Sequence, residues 1–430
     1  MKLLSPLDDR YKSQTASLAK LFSESSYIAY QAKVEQAYLE ALLEELSIDA
    51  ELKAFLKPFS EKEIELCKQL ETKGIRGISA THHDVKAIEY ILKQRLKGQI
   101  REFVHFGLTS EDTSNLALGL MLRTGLKILT AKLRSILRHL QDLARTHKKS
   151  VMLARTHGQF AVPTTFGKEM QVFADRLAKQ LSELESLKIE GKLNGSVGTL
   201  AALRFAYPEH DWVAFSKAFV EGLGLQHVEH TTQILPADSY VKSFQALQLI
   251  NSILIGFSQD IWRYISDDWI SLKQVDGDIG SSVMPQKVNP INFENAEGNL
   301  KLANGILELF ARELPISRLQ RDLSDKTIKR NFGVALGHSL LAYSSLEKGL
   351  AKLEPNLELM RFYCKQHPEV LAEAYQTELR KHIPEPYEKL KALTRGKLVS
   401  LNDLHNFVDS LNIPDSVKHK LKQLKPEHYI

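Results

Sequence analysis

The sequence predicts an all-α protein. Apolar residues recur at steps of three and four over long stretches without proline, whereas the alternation typical of strands is scarce. The 430 residues are 43% hydrophobic and 25% charged, which is ordinary for a soluble globular protein. A chain of this length has enough apolar residues for two or three domains.

Five long amphipathic helices carry most of this pattern. The first has apolar positions from Leu122 to Ala144, and no proline interrupts residues 114–147. A helix of about 30 residues is roughly 45 Å long. The same spacing recurs in four later segments, at Phe166 to Leu184, Val241 to Ile265, Phe293 to Phe310 and Phe332 to Leu350. Helices this long seldom find enough partners in one chain, so we expect a bundle completed by other subunits.

Shorter segments flank the long helices on both sides. The first hundred residues read as shorter helices, with a break near Lys97-Gly98, and beyond Pro355 the chain becomes more polar and richer in proline. We therefore predict three domains: an N-terminal helical domain (1–104), a central long-helix bundle (105–350) and a C-terminal helical domain (351–430).

Charge and cysteine content exclude several classes of protein. A formal charge of +5 is mild for this length; it suits small anionic ligands and argues against a dedicated nucleic-acid binder. Cys67 and Cys364 are too far apart to indicate a disulfide framework or a zinc site. The N-terminus lacks a signal-peptide pattern, and no uncharged stretch approaches the roughly 18–20 residues of a membrane span. We expect a cytoplasmic protein with neither a membrane nor a nucleic-acid partner.

The segment 277–290 has the composition of a catalytic loop. It supplies two flexible glycines, two hydroxyls and a positive charge, at Gly277, Gly280, Ser281, Ser282 and Lys287. Asn289 suits a helix N-cap and Pro290 the first helical position, so a helix should begin there. A polar, cationic loop between long helices is a favourable place for chemistry.

Two histidine clusters each allow two interpretations. His157 lies in the polar run 155–159 between two long helices, where it is either a proton-exchanging group or a helix-capping loop residue; its polar neighbours favour a binding site. In the run 81–84, His82 and His83 suggest a metal site, but no further ligands follow at a recognisable spacing. Surface histidines are the default interpretation of that run.

Two charged clusters are similarly ambiguous. Residues 109–112 precede the longest helix; Thr109 and Asp112 fit ordinary N-capping, although a helix N-terminus also suits a carboxylate or phosphate. Spacing alone favours capping, and both can hold. A basic cluster comprises Arg318, Arg321, Lys326, Lys329 and Arg330. It is either a phosphate site or a solvated face that nearby aspartates partly neutralise.

One motif resembles a known family. Residues 280–290 fit the pattern Gly-Ser-Ser-x-Met-Pro-x-Lys-x-Asn-Pro, the signature loop of the fumarase/aspartase superfamily. Within it, the chain is most similar to the enzymes that cleave succinylated purine nucleotides, a likeness that covers essentially the whole chain. It rests on runs at residues 9–11, 83–86, 109–112, 155–159, 231–234, 292–299, 318–322 and 386–390. The resemblance implies a three-domain, nearly all-α subunit in a homotetramer, with each active site built from three subunits.

The resemblance also implies a reaction. It is the β-elimination of fumarate from adenylosuccinate, giving AMP, and from the succinylamino-carboxamide ribotide SAICAR, giving AICAR, with no cofactor and no metal. Ser281 is the implied base and His157 the acid, with Lys287 stabilising developing negative charge and His83 supporting His157 or touching the phosphate. A serine hydroxyl is a poor base at neutral pH, so Ser281 needs help from its neighbours.

The implied binding residues fall into three groups. The nucleotide and its phosphate are assigned to Arg10, Tyr11, Lys326, Thr327 and Arg330. The succinyl carboxylates are assigned to Thr109, Ser110, Lys287 and Asn289. The rest of the pocket is assigned to His82, His83, Asp84, Gln233, Ser282, Val288, Asn295, Arg321, Ile328 and Lys329.

Two departures and two rival functions stand beside this hypothesis. His82 replaces a common Asn, and Lys326 replaces a common small hydroxyl residue.

A lyase such as argininosuccinate lyase has no phosphate to hold, so the basic cluster argues against it. Some superfamily members serve as non-catalytic lens crystallins; the intact Ser281, His157 and Lys287 argue against that role.

Overall fold

Helices dominate the structure, as the sequence predicts. The computed structural model describes residues 3–48, 56–75, 77–274, 283–284, 286–397 and 399–430. Its α-helices, in chain order, are α1 (Lys12–Phe22), α2 (Glu24–Glu45), α3 (Glu61–Thr72), α4 (Asp84–Arg95), α5 (Ser110–Thr146), α6 (Phe166–Ser186), α7 (Ala201–Ala206), α8 (Trp212–Gly222), α9 (Asp238–Ser266), α10 (Ile291–Glu313), α11 (Ser324–Lys329), α12 (Phe332–Leu350), α13 (Leu357–Gln366), α14 (Ala372–Leu379), α15 (Pro386–Thr394), α16 (Leu401–Asp409) and α17 (Asp415–Gln423). Short 3-10 helices cover Gly98–Phe103, Pro368–Leu371 and Pro426–His428.

The strands of the described residues form three small sheets of two strands each. An antiparallel hairpin pairs β1 (Val151–Thr156) with β2 (Gln159–Thr165). A parallel pair joins β3 (Glu190–Gly191) to β4 (Gln226–His227), and an antiparallel pair joins β5 (Ile270–Leu272) to β6 (Leu353–Pro355). The hairpin is the largest departure from the sequence prediction, which placed only a loop there.

The five long helices predicted from periodicity are confirmed as α5, α6, α9, α10 and α12. The longest, α5, has 37 residues and is therefore about 55 Å long. One predicted start is wrong by a residue: α10 begins at Ile291, so Pro290 stands at the N-cap position rather than Asn289. A shift of one residue is within the usual uncertainty of helix ends.

Contacts divide the chain into two compact units. The first comprises Met1–Leu133, Gln180–Ser252 and Gly298–Ser344, and the second comprises Arg134–Lys179, Ile253–Glu297 and Ser345–Ile430. The boundaries fall inside the five long helices, each of which contributes residues to both units. The three-domain division stays a prediction.

Aromatic packing joins the long helices within the first unit. The ring centroids of Phe244 on α9, Phe310 on α10 and Phe332 on α12 lie 4.8–5.2 Å apart, at the angles that aromatic pairs prefer. A buried polar contact accompanies them: Asn251 donates to Asn304 (2.9 Å) and accepts from the Tyr343 hydroxyl (2.6 Å). Because a buried amide is costly unless paired, this contact also fixes the relative register of the three helices.

A separate apolar cluster in the first unit holds α2, α3 and α4 together. Its fully or nearly fully buried members include Leu39, Leu43, Leu70, Ile88 and Leu92. The helices begin with side-chain caps: Ser60 and Glu63 form a reciprocal capping box at α3. This cluster fixes the position of the first turn of α4, where His83 and Asp84 lie.

The second unit has its own apolar cores. Phe173 on α6 packs edge-on against Phe257 on α9, with ring centroids 5.3 Å apart. The C-terminal helices enclose a further cluster that includes Leu371, Tyr375, Leu404 and Val408, all fully buried. No helix in the described part of the chain is both long and apolar enough to cross a membrane.

Candidate functional site

A cavity of about 300 Å³ opens in the first unit, where the N-terminal turns of several helices converge. Its walls come from the start of α2, the start of α4, the start of α5 and the short helix α11. The polar and charged lining comprises Glu24, Tyr27, His82, His83, Asp84, Thr109, Ser110, Glu111, Ser114, Asn115, Gln233, Arg321, Asp325, Lys326, Lys329 and Arg330.

His83 caps the first turn of α4 and faces the start of α5. Its Nδ1 accepts a hydrogen bond from the backbone N–H of Lys86 (3.3 Å), and its Nε2 lies 3.1 Å from Ser110 Oγ. Because Nδ1 is an acceptor here, the proton of a neutral His83 is on Nε2, directed at the Ser110 hydroxyl. The two residues that the sequence assigned separately are therefore in contact.

Asp84 ties α4 to the basic cluster. This buried carboxylate accepts from the backbone N–H of Val85 (3.0 Å), and its Oδ2 lies 3.1 Å from Lys326 Nζ and 3.6 Å from the Arg330 guanidinium. Burial alone would raise the pKa of Asp84, but the Lys326 ammonium and the hydrogen bonds outweigh burial and lower it. Asp84 is therefore an anion that holds two cations at the cavity wall.

Glu111 ties the first turn of α5 to the basic cluster. Its side chain is 6% exposed, and it binds Arg321 at 2.9 Å and Lys329 at 3.3 Å, while Lys329 also contacts Asp325 at 2.6 Å. Burial opposes ionisation of Glu111, yet Lys329 and Arg321 lower its pKa, and Glu111 in turn raises the pKa of Lys329 against the effect of burial. Glu111, Arg321 and Lys329 stay charged because the opposite charges compensate one another.

The N-terminus of α5 is fixed from behind by Asp112. This fully buried carboxylate accepts from the backbone N–H of Thr109 (2.9 Å), which confirms the predicted capping, and from those of Asn194 (3.0 Å) and Gly195 (3.1 Å). The fully buried Lys192 supplies the balancing charge at 2.9 Å. Thr109 and Ser110 are therefore presented at a rigid helix terminus, which suits an anion.

Opposite charges balance along the described cavity lining. Four cations, Arg321, Lys326, Lys329 and Arg330, stand against four carboxylates, Glu24, Asp84, Glu111 and Asp325. The pairs differ in burial, because the side chains of Glu24 and Arg330 are 56% and 41% exposed and lie 3.3 Å apart. That exposed pair is the weakest of the set.

The second unit holds other residues that the sequence assigned to the site. His157 stands with Gly158 at the exposed tip of the β1–β2 hairpin. Lys287 is exposed before α10, and Asn289 is half-buried at the same place. Asn295 lies on α10 and accepts from Ser345 Oγ at 2.7 Å. Ser281 and Ser282 lie outside the described residues, as do the loop glycines Gly277 and Gly280.

Some assigned residues of the first unit do not line the cavity. Among the described residues, its lining lacks Arg10 and Tyr11, which stack on each other before α1, and Thr327 and Ile328, which lie on α11. Val288 belongs to the second unit and is exposed. Gln233 does line the cavity, held by a 2.9 Å hydrogen bond to the carbonyl of Ser196.

Sequence reasoning missed Glu24, Tyr27 and Ser114 and underrated Glu111. Glu24 and Tyr27 carry no motif and reach the cavity only because α2 passes beside α4 and α5. Glu111 belongs to the run 109–112, but Thr109 and Asp112 alone explained that run as helix capping, so no role was given to Glu111. Within the described residues, no group of three metal-binding side chains lies close enough to hold an ion; the expectation of a metal-free site stays a prediction.

The chain is similar over nearly its whole length to known lyases. The family model described as lyase matches residues 7–305, and the model of the adenylosuccinate lyase C-terminal region matches residues 317–430. Adenylosuccinate lyase of Escherichia coli (strain K12) is 42% identical over 99% of this chain and 96% of its own, and that of Dictyostelium discoideum is also 42% identical with the same coverage. The chain belongs to the adenylosuccinate lyase family. The resemblance to the fumarase/aspartase superfamily is thereby confirmed, and the chain is an enzyme of the lyase class.

Solved structures confirm the fold of this adenylosuccinate lyase family member. Fumarate lyase from Mesorhizobium sp. BNC1 superposes with a TM-score of 0.79 at 19% identity, covering 96% of this chain and 95% of its own. The 3-carboxy-cis,cis-muconate lactonizing enzyme from Pseudomonas putida gives 0.75 at 20% identity, covering 96% and 93%. At such low identities the likeness concerns the fold alone.

The ion pairs of Glu111 make a prediction about stability. Glu111→Gln leaves Arg321 and Lys329 without their carboxylate, so we expect the free energy of unfolding to fall by about 3 kcal/mol at neutral pH. Because the folded state lowers the pKa of Glu111, its contribution is complete above the unfolded pKa of about 4.3 and is lost as the pH falls through the lower folded value.

Urea unfolding from pH 7 to about pH 3, which extends below the unfolded pKa of Glu111, measures this effect, with Glu44→Gln, on the exposed face of α2, as the control. The difference in the free energy of unfolding between wild type and Glu111→Gln should become smaller at the acidic end of this range. A difference that stays constant or widens on acidification would contradict the assignment of Glu111 as a buried anion.

Proposed function

We propose that this protein is an adenylosuccinate lyase that releases fumarate from adenylosuccinate, giving AMP, and from SAICAR, giving AICAR. The observation that carries the proposal is the cavity at the first turns of α4 and α5. It concentrates four cations, two histidines and a helix N-terminus, within a chain of this family. Both substrates bring a phosphate and two carboxylates, which are the groups that such a site binds.

The phosphate is assigned to the α11 side of the cavity. Lys326 and Arg330 approach the same oxygen of Asp84, so their charges converge on one point. A phosphate dianion competes with the exposed Glu24 for Arg330, since a surface ion pair is worth only about 0–1 kcal/mol. The buried Glu111 stays in place because separating it from its cations costs roughly 3–5 kcal/mol. Substrate binding thus exchanges one carboxylate of the wall for the phosphate.

The succinyl carboxylates are assigned to the start of α5. Thr109 and Ser110 lie where backbone N–H groups and the positive end of the helix dipole face the cavity. His83 donates to Ser110 through Nε2 and thereby orients that hydroxyl. Family resemblance adds Lys287 and Asn289 as further carboxylate ligands.

The reaction breaks a C–N bond and forms a C=C bond. Ser281, as the base, takes a proton from the carbon next to a carboxylate, and the electron pair left on that carbon spreads into the carboxylate as an aci-carboxylate. Cations and N–H donors beside that carboxylate stabilise the developing charge. The electron pair then forms the double bond of fumarate as the C–N bond breaks, and His157 gives its proton to the departing nitrogen. Lys287 supplies positive charge in the loop that carries Ser281.

His157 suits the acid role because of its place in the fold. It stands at the exposed tip of a hairpin and can therefore project into a substrate site. Histidine also exchanges protons readily near neutral pH. We further propose a cytoplasmic homotetramer whose active sites combine residues from three subunits; the length of α5, α9 and α10 supports an intersubunit bundle.

The activity itself is tested with purified protein. Adenylosuccinate and SAICAR should each yield fumarate, followed by its ultraviolet absorbance, together with AMP or AICAR. Argininosuccinate should yield none, because it lacks the phosphate that the basic wall binds. A folded sample that releases no fumarate from either purine nucleotide would refute the proposal.

The division of roles predicts complementation between inactive variants. Ser281→Ala and His157→Ala should each lose nearly all turnover while staying folded, because each lacks one of the two proton-transfer groups. Mixing the two under conditions of subunit exchange should restore part of the activity, since some shared sites then contain both groups. Two labelled wild-type pools serve to demonstrate exchange. If exchange occurs and no activity returns, the shared-site model is wrong.

A further inference from the structure

Arg155 has a conspicuous set of contacts two residues before His157. Its guanidinium donates from Nη1 to the carbonyl of Gly158 (2.9 Å), across the tip of the hairpin. Its Nε lies 3.2 Å from Oδ2 of Asp267, directly after the end of α9, and the two side chains are only 23% and 13% exposed. The guanidinium therefore joins the tip of the hairpin to α9 within the second unit.

An aromatic slot holds the guanidinium in this position. Its carbon lies 4.2 Å from the ring centroid of Phe160 and 5.2 Å from that of the buried Trp269. Phe160 is the cross-strand partner of Arg155; its ring is stacked on Trp269 and makes a tilted contact with His367. Cation–π contacts of this kind favour arginine, whose flat fork can stack and donate at once.

The backbone of the tip explains why a clamp is needed. Thr156 pairs with Gln159, so His157 and Gly158 form a two-residue loop, and their φ angles are +52° and +75°. A turn with both central residues at positive φ matches the twist of the strands, but the position of His157 is unfavourable for a residue with a side chain. Residues 156–159 are all exposed, so they are not held in place by burial against the rest of the unit.

We propose that Arg155 is a positioning residue for His157: by clamping Gly158 to Asp267 and the aromatic slot, it fixes the direction in which the imidazole projects. This rests on the proposed role of His157 as the proton donor. Arg155 faces the interior of its unit, so it acts through the hairpin rather than as a ligand of the substrate. Asp267 anchors it from the helix side.

The test compares two arginines on the same carboxylate. Arg155→Gln removes the clamp. Arg263→Gln removes the other arginine partner of Asp267; this arginine lies on α9, outside the hairpin, 3.1 Å from the carboxylate. We expect kcat of Arg155→Gln to fall by about 100-fold, since a misplacement near 1 Å has effects of that size, with KM changed less than threefold. Arg155→Lys should recover little, because an ammonium cannot reproduce the fork, and Arg263→Gln should stay within about twofold of wild type.

Hydrogen–deuterium exchange of residues 151–165 gives a readout that does not depend on activity. Exchange at the hairpin should rise in Arg155→Gln and stay unchanged in Arg263→Gln, with equal thermal midpoints for the folded proteins. The inference would be overturned if the hairpin tip of Arg155→Gln exchanged hydrogen at the same rate as in the wild type. Equal losses of kcat in Arg155→Gln and Arg263→Gln would also overturn it. If wild type itself releases no fumarate, the proposed function fails while the exchange data still decide whether Arg155 clamps the hairpin.

Discussion

The buried carboxylate of Glu111, on the first turn of α5, is the constraint on which the site depends. A carboxylate out of water is tolerable only beside compensating charge, so Arg321 and Lys329 must come to it. Arg321 and Lys329 lie before and at the end of α11, so the pairs place that short helix over the start of α5. Asp84 makes the equivalent link from α4 to Lys326 and Arg330. The cavity is the space between these bridged helices.

This electrostatic design also governs how the cavity can accept an anion. A wall of unpaired cations would repel itself, whereas a balanced wall is stable. Under the proposed function, the balanced wall must release a carboxylate when the phosphate binds. Burial decides which carboxylate leaves. Glu111 and Asp84 are nearly inaccessible, whereas Glu24 is more than half exposed and pairs with the partly exposed Arg330. The site therefore combines a fixed inner layer of ion pairs with one exchangeable outer pair.

The sequence predicts some features better than others, and the physical reasons are clear. Long helices are visible because a 3.6-residue apolar period repeats over many turns, as in α5 and α9. The β1–β2 hairpin is missed because its strands are short and lie between two strong helical patterns. Its one signal is the His157-Gly158 pair, which resembles an Asn-Gly hairpin turn and lies between the mostly apolar runs 151–154 and 160–163. The signature loop identified the family, although Ser281 lies outside the described residues.

Long-range partners are the part that sequence reasoning does not reach. The basic cluster was evident from residues 318–330, but Glu24 lies about 300 residues earlier, and nothing local marks it. Similarly, Arg155 looked like a polar neighbour of His157 until the structure placed its guanidinium against Asp267 and two aromatic rings. Such pairings depend on tertiary packing, which periodicity does not encode.

The most direct measurement of the exchange of carboxylate for phosphate is AMP binding by titration calorimetry. It compares wild type with Glu24→Gln and with the control Glu40→Gln, which removes an equal charge from the exposed face of α2. If the phosphate displaces Glu24 from Arg330, Glu24→Gln should bind AMP about two- to fivefold more tightly, the equivalent of an exposed ion pair. Glu40→Gln should match wild type. Unchanged or weaker binding by Glu24→Gln would contradict the exchange of carboxylate for phosphate.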